Sequence, residues 1–133
     1  FWTLLNHMLD RMPQAKLIVM GGFLNNKEEC ATLINQYRDF GICFKQEHWA
    51  AFPDQERSTT RLTNTERHSS LYIDKIGLMC SDRSSNSCLT KGYGEPYSYD
   101  QHHLSLGYAQ LLGDRIAKDL ADELVAIGLP RPK

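Results

Sequence analysis

The run Lys16-Leu17-Ile18-Val19-Met20, closed at once by Gly21-Gly22 and set between two stretches of helical periodicity, constrains this chain more than any other segment. So short an apolar run, bounded by glycines, reads as a strand of a parallel sheet covered on both faces. Before it, Leu4, Leu5, Met8, Leu9 and Met12 fall on one face of a helix that stops before Pro13 and already contains Phe1. After it, Asn26 can cap a helix with Glu29 at its third position, and Cys30, Leu33, Ile34 and Tyr37 share a face until Gly41 ends it. Helix, strand, helix is α/β alternation.

The rest of the chain continues the pattern. Ile42-Cys43-Phe44 reads as another short strand. Residues 45–70 are polar, with Trp49, Phe52 and Pro53 as the packing residues of a surface excursion that holds one helix. Leu71-Tyr72-Ile73 returns as a strand, and residues 76–80 form a turn of helix. Gly92, Gly94 and Pro96 then break regular structure. Ser105 can cap a last helix whose Tyr108, Leu111, Leu112, Ile116, Leu120 and Leu124 make an apolar stripe, closed by Gly128 and Pro130. No internal repeat or linker divides residues 1–133, so one domain or a large piece of one is expected.

Several classes of function are disfavoured. With 15 basic and 16 acidic residues the net charge is −1, and neither sign forms a long run, so no electrostatic footprint for nucleic acid is present. The longest apolar stretch, Leu17 to Leu24, is far short of the roughly 20 residues that span a bilayer. No signal peptide opens the sequence, and localisation is not legible from its amino terminus. No two of Cys30, Cys43, Cys80 and Cys88 have the spacing of a zinc knuckle or a redox motif. Cys80 and Cys88 bracket the polar residues 81–87, which cannot bury enough apolar surface to order themselves, so a disulfide is favoured there. Cys30 and Cys43 flank a helix and can make a second bridge or remain buried thiols. Bridges imply an oxidising compartment.

The chemistry concentrates in Asp100-Gln101-His102-His103. A carboxylate three residues before an imidazole on one loop can hold the ring by one nitrogen and leave the other as a base for a hydroxyl nucleophile. The plainer reading is a turn in which Asp100 accepts backbone donors ahead of a capped helix. His102 beside the base does not make a metal site, because adjacent side chains on an extended loop diverge and no other ligands stand at metal spacing. His7, His48 and His68 are scattered and read as solvated, and neither metal nor cofactor is expected. Tyr93, Tyr97 and Tyr99 rim the loop, and Tyr97 and Tyr99 are the candidates to stack on a sugar ring.

Tyr97-Ser98-Tyr99-Asp100-Gln101-His102-His103-Leu104-Ser105, with Gly107 shortly after, resembles the last block of the SGNH or GDSL hydrolases. The form is closest to SGNH domains fused to acyltransferase-3 membrane proteins that O-acetylate bacterial surface polysaccharides, and Cys80 with Cys88 resembles the cysteine pair ahead of that block. The likeness is specific from Leu71 to Leu112. It implies the carboxy-terminal part of a three-layer α/β/α flavodoxin-like fold with a central parallel sheet. It also implies that His103 is the general base, that Asp100 fixes its tautomer, and that the chain acts on O-acyl, chiefly acetyl, groups of carbohydrate through an acyl-serine. The implied partners are a carbohydrate or acyl-ester substrate, an amino-terminal half of the same domain, and an upstream membrane acyltransferase domain that would tether the protein at the bacterial periplasmic face.

That resemblance places the serine in a Gly-Asp-Ser block near the domain's start, and the oxyanion glycine and asparagine in two further blocks. None of these can be placed here. Gly113-Asp114 is followed by Arg115 inside the last helix, and Ser105 is better explained as that helix's cap. The isolated chain is therefore expected to hydrolyse no ester. The competing expectations are a non-catalytic α/β binding or scaffold module of the envelope and a stand-alone secreted GDSL esterase.

Overall fold

A computed structural model of the chain describes residues 2–22, 24–45, 48–50, 70–81 and 88–132. The expectations for Phe1, Phe52, Pro53 and His68, for a helix within residues 45–70, for the polar run 82–87, and for the side chains of His48 and Trp49 lie outside the described residues.

The first helix, α1 (Trp2–Arg11), ends where Met12 donates to the carbonyls of Met8 and Leu9 and Pro13 stops propagation. Only part of its apolar face is covered: Leu9 is buried, whereas Leu4, Met8 and Met12 are exposed. Strand β1 (Leu17–Met20) pairs in parallel with β4 (Ser70–Ile73), Leu17 opposite Ser70 through Met20 opposite Ile73, and Gly21 N–H extends the ladder to Ile73 O at 2.8 Å. The architecture is thus mixed helix and strand with a small parallel sheet, broadly α/β. The expectation that β1 is covered on both faces is corrected. Along it burial alternates, with Ile18 and Met20 outward, because among the described residues it has one strand neighbour and one covered side.

Between these strands the reading needs further correction. Asn26 does not cap a helix; it lies in β2 (Leu24–Asn26), which pairs antiparallel with β3 (His48–Ala50). Helix α2 (Cys30–Tyr37) starts after Glu29, which makes no side-chain cap, and ends at Arg38 in the left-handed region (φ 55°), three residues before Gly41. Residues 42–44 are not a strand. Asp39 accepts Gly41 N–H at 2.7 Å and winds Phe40–Phe44 into a 3-10 turn, which brings Cys43 back to bond with Cys30. A local side-chain acceptor and a covalent bridge here outweigh the strand propensity of Ile42 and Phe44.

The second half is built around a helix. After α3 (Lys75–Met79), Cys80 bonds to Cys88, so both bridges form and the described cysteines include no free thiol. The short strands β5 (Lys91–Gly92) and β6 (Glu95–Pro96) make a tight hairpin under α4 (Leu106–Asp119). The helical pattern does not run unbroken to Leu124: it turns at Leu120 into α5 (Ala121–Ala126), and Gly128 follows at φ +86°. The core gathers Leu24, Ile76, Met79, the Cys80–Cys88 bridge, Tyr97, Tyr108 and Leu112. Tyr97 and Tyr108 meet edge to face at 4.5 Å, and their hydroxyls donate to Leu24 O and Leu89 O.

Helix α4 approaches the hairpin so closely that its start requires glycine. A Cβ on Gly107 would stand 2.5 Å from Gly92 O, and one on Gly92 would stand 2.8 Å from the Cα of Tyr108. Both obstacles are backbone. Gly113, midway along the same helix, would meet nothing within 4 Å. Opposite effects are expected from the same substitution. Gly113→Ala should raise stability by about 0.5–1 kcal/mol through helix propensity, while Gly107→Ala should lower it by about 1–3 kcal/mol through overpacking, both read from urea unfolding midpoints.

Candidate functional site

The loop carrying Asp100 and His103 is closed at its base, because Ser98 and Leu104 face each other as an isolated antiparallel bridge. On one side it joins the start of α4. Ser105 N–H donates to Tyr97 O at 2.9 Å, its hydroxyl donates to Pro96 O at 2.6 Å, and the same oxygen accepts Tyr108 N–H at 3.2 Å. Ser105 is thus the helix cap, and its buried hydroxyl is fully occupied as a donor. Gly113 and Asp114 lie inside α4, where Asp114 accepts from the hydroxyl of Tyr93.

On the other side the loop lies against the segment from β2 to the start of α2. Asn26 Nδ2 donates to Ser98 O at 3.1 Å and Asn26 N–H to Gln101 O at 3.2 Å. Cys30 N–H donates to Tyr99 O at 3.0 Å, and Gln101 Nε2 to Lys27 O at 2.7 Å. Residues some 70 positions apart are stitched together by these bonds. No periodicity in the sequence announces that contact, so Asn26, Ser98 and Gln101 were not foreseen as parts of the site.

Within the loop the Asp100 carboxylate divides its work. Oδ1 accepts the main-chain N–H of His103 at 2.9 Å and of His102 at 3.1 Å, with the Ser98 hydroxyl at 3.3 Å. Oδ2 stands 2.7 Å from Nδ1 of the His103 ring. The backbone N–H of His103 and then its ring hold the Asp100 carboxyl well below the usual carboxylate range, with His102 N–H adding to them. An ionised carboxylate only accepts, so Nδ1 carries the proton and a neutral ring keeps its lone pair on Nε2. The His103 side chain is 84 % exposed and that of Asp100 54 %, so no packing forces the ring into this pose. The turn and the ring alignment coexist in one carboxylate.

Tyr97 and Tyr99, paired in the sequence reading, separate in the structure. Tyr97 is 4 % exposed, with its ring against Tyr108, its hydroxyl on Leu24 O and its ionisation pushed up by burial. It presents no face to a ligand, which corrects the expectation that it stacks on a sugar. Tyr99 is 43 % exposed and lies beside Phe40, itself 47 % exposed, the ring centroids 6.5 Å apart. Phe40 was missed because its place beside the loop depends on the 3-10 turn that replaced a predicted strand. Leu104 lines a small apolar cavity of about 20 Å³ together with Leu24, Tyr97 and Tyr108. His102 and His7 are exposed, and among the described residues no three His, Cys, Asp or Glu side chains converge as a metal site.

Compared with protein-family models, curated proteins and solved structures, the chain matches none.

The depressed Asp100 pKa has a signed consequence. Because the folded chain keeps this carboxylate ionised below its ordinary pKa of about 3.9, the turn's contribution to stability is fully present above that pH and is lost as pH falls toward the folded value. The difference in urea midpoint between the wild-type chain and Asp100→Ala should therefore shrink as pH falls below about 4. A difference that does not shrink below about pH 4 would contradict the assignment.

Proposed function

We propose that the chain supplies the base and the orienting carboxylate of an SGNH-type acyltransferase or esterase that works on O-acyl, chiefly O-acetyl, groups of carbohydrate through an acyl-serine. The observation that carries this reading is the 2.7 Å contact of Asp100 Oδ2 with His103 Nδ1 on a ring whose far nitrogen faces solvent. A turn alone needs the contacts of Oδ1; it does not need the ring.

In this reading the lone pair on His103 Nε2 takes the proton of a serine hydroxyl as its oxygen attacks the ester carbonyl. Asp100, ionised throughout, stabilises the imidazolium and keeps Nδ1 as the protonated nitrogen. His103 then hands the proton to the departing alcohol, and a water or sugar hydroxyl reverses the sequence. Tyr99, next to Asp100 in the chain, and Phe40 beside it offer exposed rings, of the kind that packs against the apolar face of a sugar. The serine and the oxyanion donors would come from a preceding segment of the same flavodoxin-like domain, in which β1 and β4 would be parallel strands.

The bridges Cys30–Cys43 and Cys80–Cys88 are compatible with an extracytoplasmic location. Among the described residues no helix is long and apolar enough to cross a membrane. Attachment at the periplasmic face would then come through an upstream membrane domain. A scaffold reading draws support from the two backbone N–H groups on Asp100 Oδ1, which alone justify an aspartate in the turn.

An ester assay distinguishes them. The 133-residue chain should give no turnover of p-nitrophenyl acetate above background. A polypeptide that carries it behind a Gly-Asp-Ser segment should turn over, and His103→Ala should reduce kcat by about 10⁴–10⁶-fold. Turnover that survives His103→Ala removes the base from the mechanism.

A further inference from the structure

We infer that Asn26 is the positioning residue of the Asp100–His103 pair: its buried side chain and backbone hold the loop from which the carboxylate meets the ring. The inference rests on reading that pair as orienter and base.

Asp100 and His103 are exposed, so their mutual geometry is inherited from the backbone beneath them rather than imposed by side-chain packing. That backbone is held on both sides of Asp100 by one residue. Asn26 Nδ2 donates to the carbonyl of Ser98, two residues before Asp100, and Asn26 N–H donates to the carbonyl of Gln101, one residue after it. Gln101 has φ +76°, a left-handed conformation that a side chain with a Cβ adopts only when its surroundings hold it there. Asn26 is 1 % exposed and Ser98 is fully buried, so the amide has no water to fall back on and the Ser98 carbonyl would lose a buried donor if the amide were removed. Ser98 passes the constraint on: its Oγ lies 3.3 Å from both Asp100 N and Asp100 Oδ1. The path runs from a strand residue through a buried hydroxyl to the carboxylate and the ring.

Loss of the Asn26 side chain keeps the backbone bond to Gln101 O but takes the donor from Ser98 O. This frees the loop to move Asp100 Oδ2 off Nδ1, and the ring returns to the tautomer of a free imidazole, with the proton on Nε2. Long-range ¹H–¹⁵N spectra read this directly on the labelled 133-residue chain, through the non-exchangeable ring protons of His103, at a pH where the ring is neutral. The wild-type chain is expected to show a protonated Nδ1 and an unprotonated Nε2. Asn26→Ala should shift the pattern toward protonated Nε2, and Gln101→Ala, which removes only the bond to Lys27 O at the half-exposed loop edge, should shift it less in the same direction.

Leu124→Ala provides the comparison, since it cuts into a buried position of α5 and lowers stability without touching a residue of this path. Its ring pattern should stay wild-type; a shift as large as that of Asn26→Ala would assign the effect to general destabilisation and overturn the inference. If Asn26→Ala does not fold, Asn26→Ser is measured instead, because its shorter side chain does not reach Ser98 O. A folded Asn26 variant with the wild-type ring pattern overturns the inference. A wild-type chain that already carries its proton on Nε2 overturns it too, and places the failure in the pair itself.

Discussion

One carboxylate supports both the shape of a loop and the orientation of an imidazole ring. Asp100 Oδ1 faces the main chain, where His102 and His103 N–H close the turn, and Oδ2 faces Nδ1 of the His103 ring. The two functions reinforce each other geometrically. Closing the turn fixes Cα and Cβ of His103 relative to Asp100, which leaves the ring few torsions to search before it meets Oδ2. In water an exposed ion pair contributes little to stability, so the importance of this contact is directional: it selects the tautomer that leaves Nε2 able to accept a proton.

The surrounding fold delivers that direction from buried parts. On one side, Gly107 lets α4 rest on the β5–β6 hairpin, and Ser105 ties the helix start to Pro96 and Tyr97. On the other, the Cys30–Cys43 bridge holds the Phe40–Phe44 turn to α2, whose first N–H donates to Tyr99 O. Between them Tyr97, buried and edge-on to Tyr108, reaches Leu24 O and joins the loop's base to β2. The exposed pair thus stands on a platform whose own hydrogen bonds are shielded from water. An interior of this kind favours one arrangement because each buried polar group left unmatched is expensive.

What the sequence made legible was local. The strands read at residues 16–20 and 71–73, the Ser105 cap and the turn of helix before Cys80 depend on periodicity or on groups a few residues apart, and the structure contains them within a residue at the strand ends. The Asp100–His103 pairing was legible for the same reason, since both groups share one turn. What was misread depends on distant partners. Asn26 has the right residue type for a helix cap, yet its amide is claimed by Ser98, 72 positions away. Ile42 and Phe44 have strand propensity, yet Asp39 and the Cys30–Cys43 bridge wind them into a 3-10 turn. Tyr97 and Tyr99 are alike in sequence, and only the approach of α4 decides that one is core and the other surface.

In the proposed enzyme the exposure of His103 would also bear on transfer against hydrolysis. An acyl-serine beside an imidazole open to water is attacked by water, whose concentration exceeds that of any sugar hydroxyl. Transfer to carbohydrate requires that an acceptor be bound where it displaces water from Nε2, because placement converts a bimolecular attack into a local one. The surface for such placement would lie beside Asp100, where Tyr99 and its neighbour Phe40 are exposed. A sugar has both kinds of surface, apolar C–H faces and equatorial hydroxyls, and can use both at once. In the proposed enzyme the balance between the two reactions would therefore be governed less by the Asp100–His103 pair, which serves either nucleophile equally, than by how firmly this rim holds an acceptor against the open side of the ring.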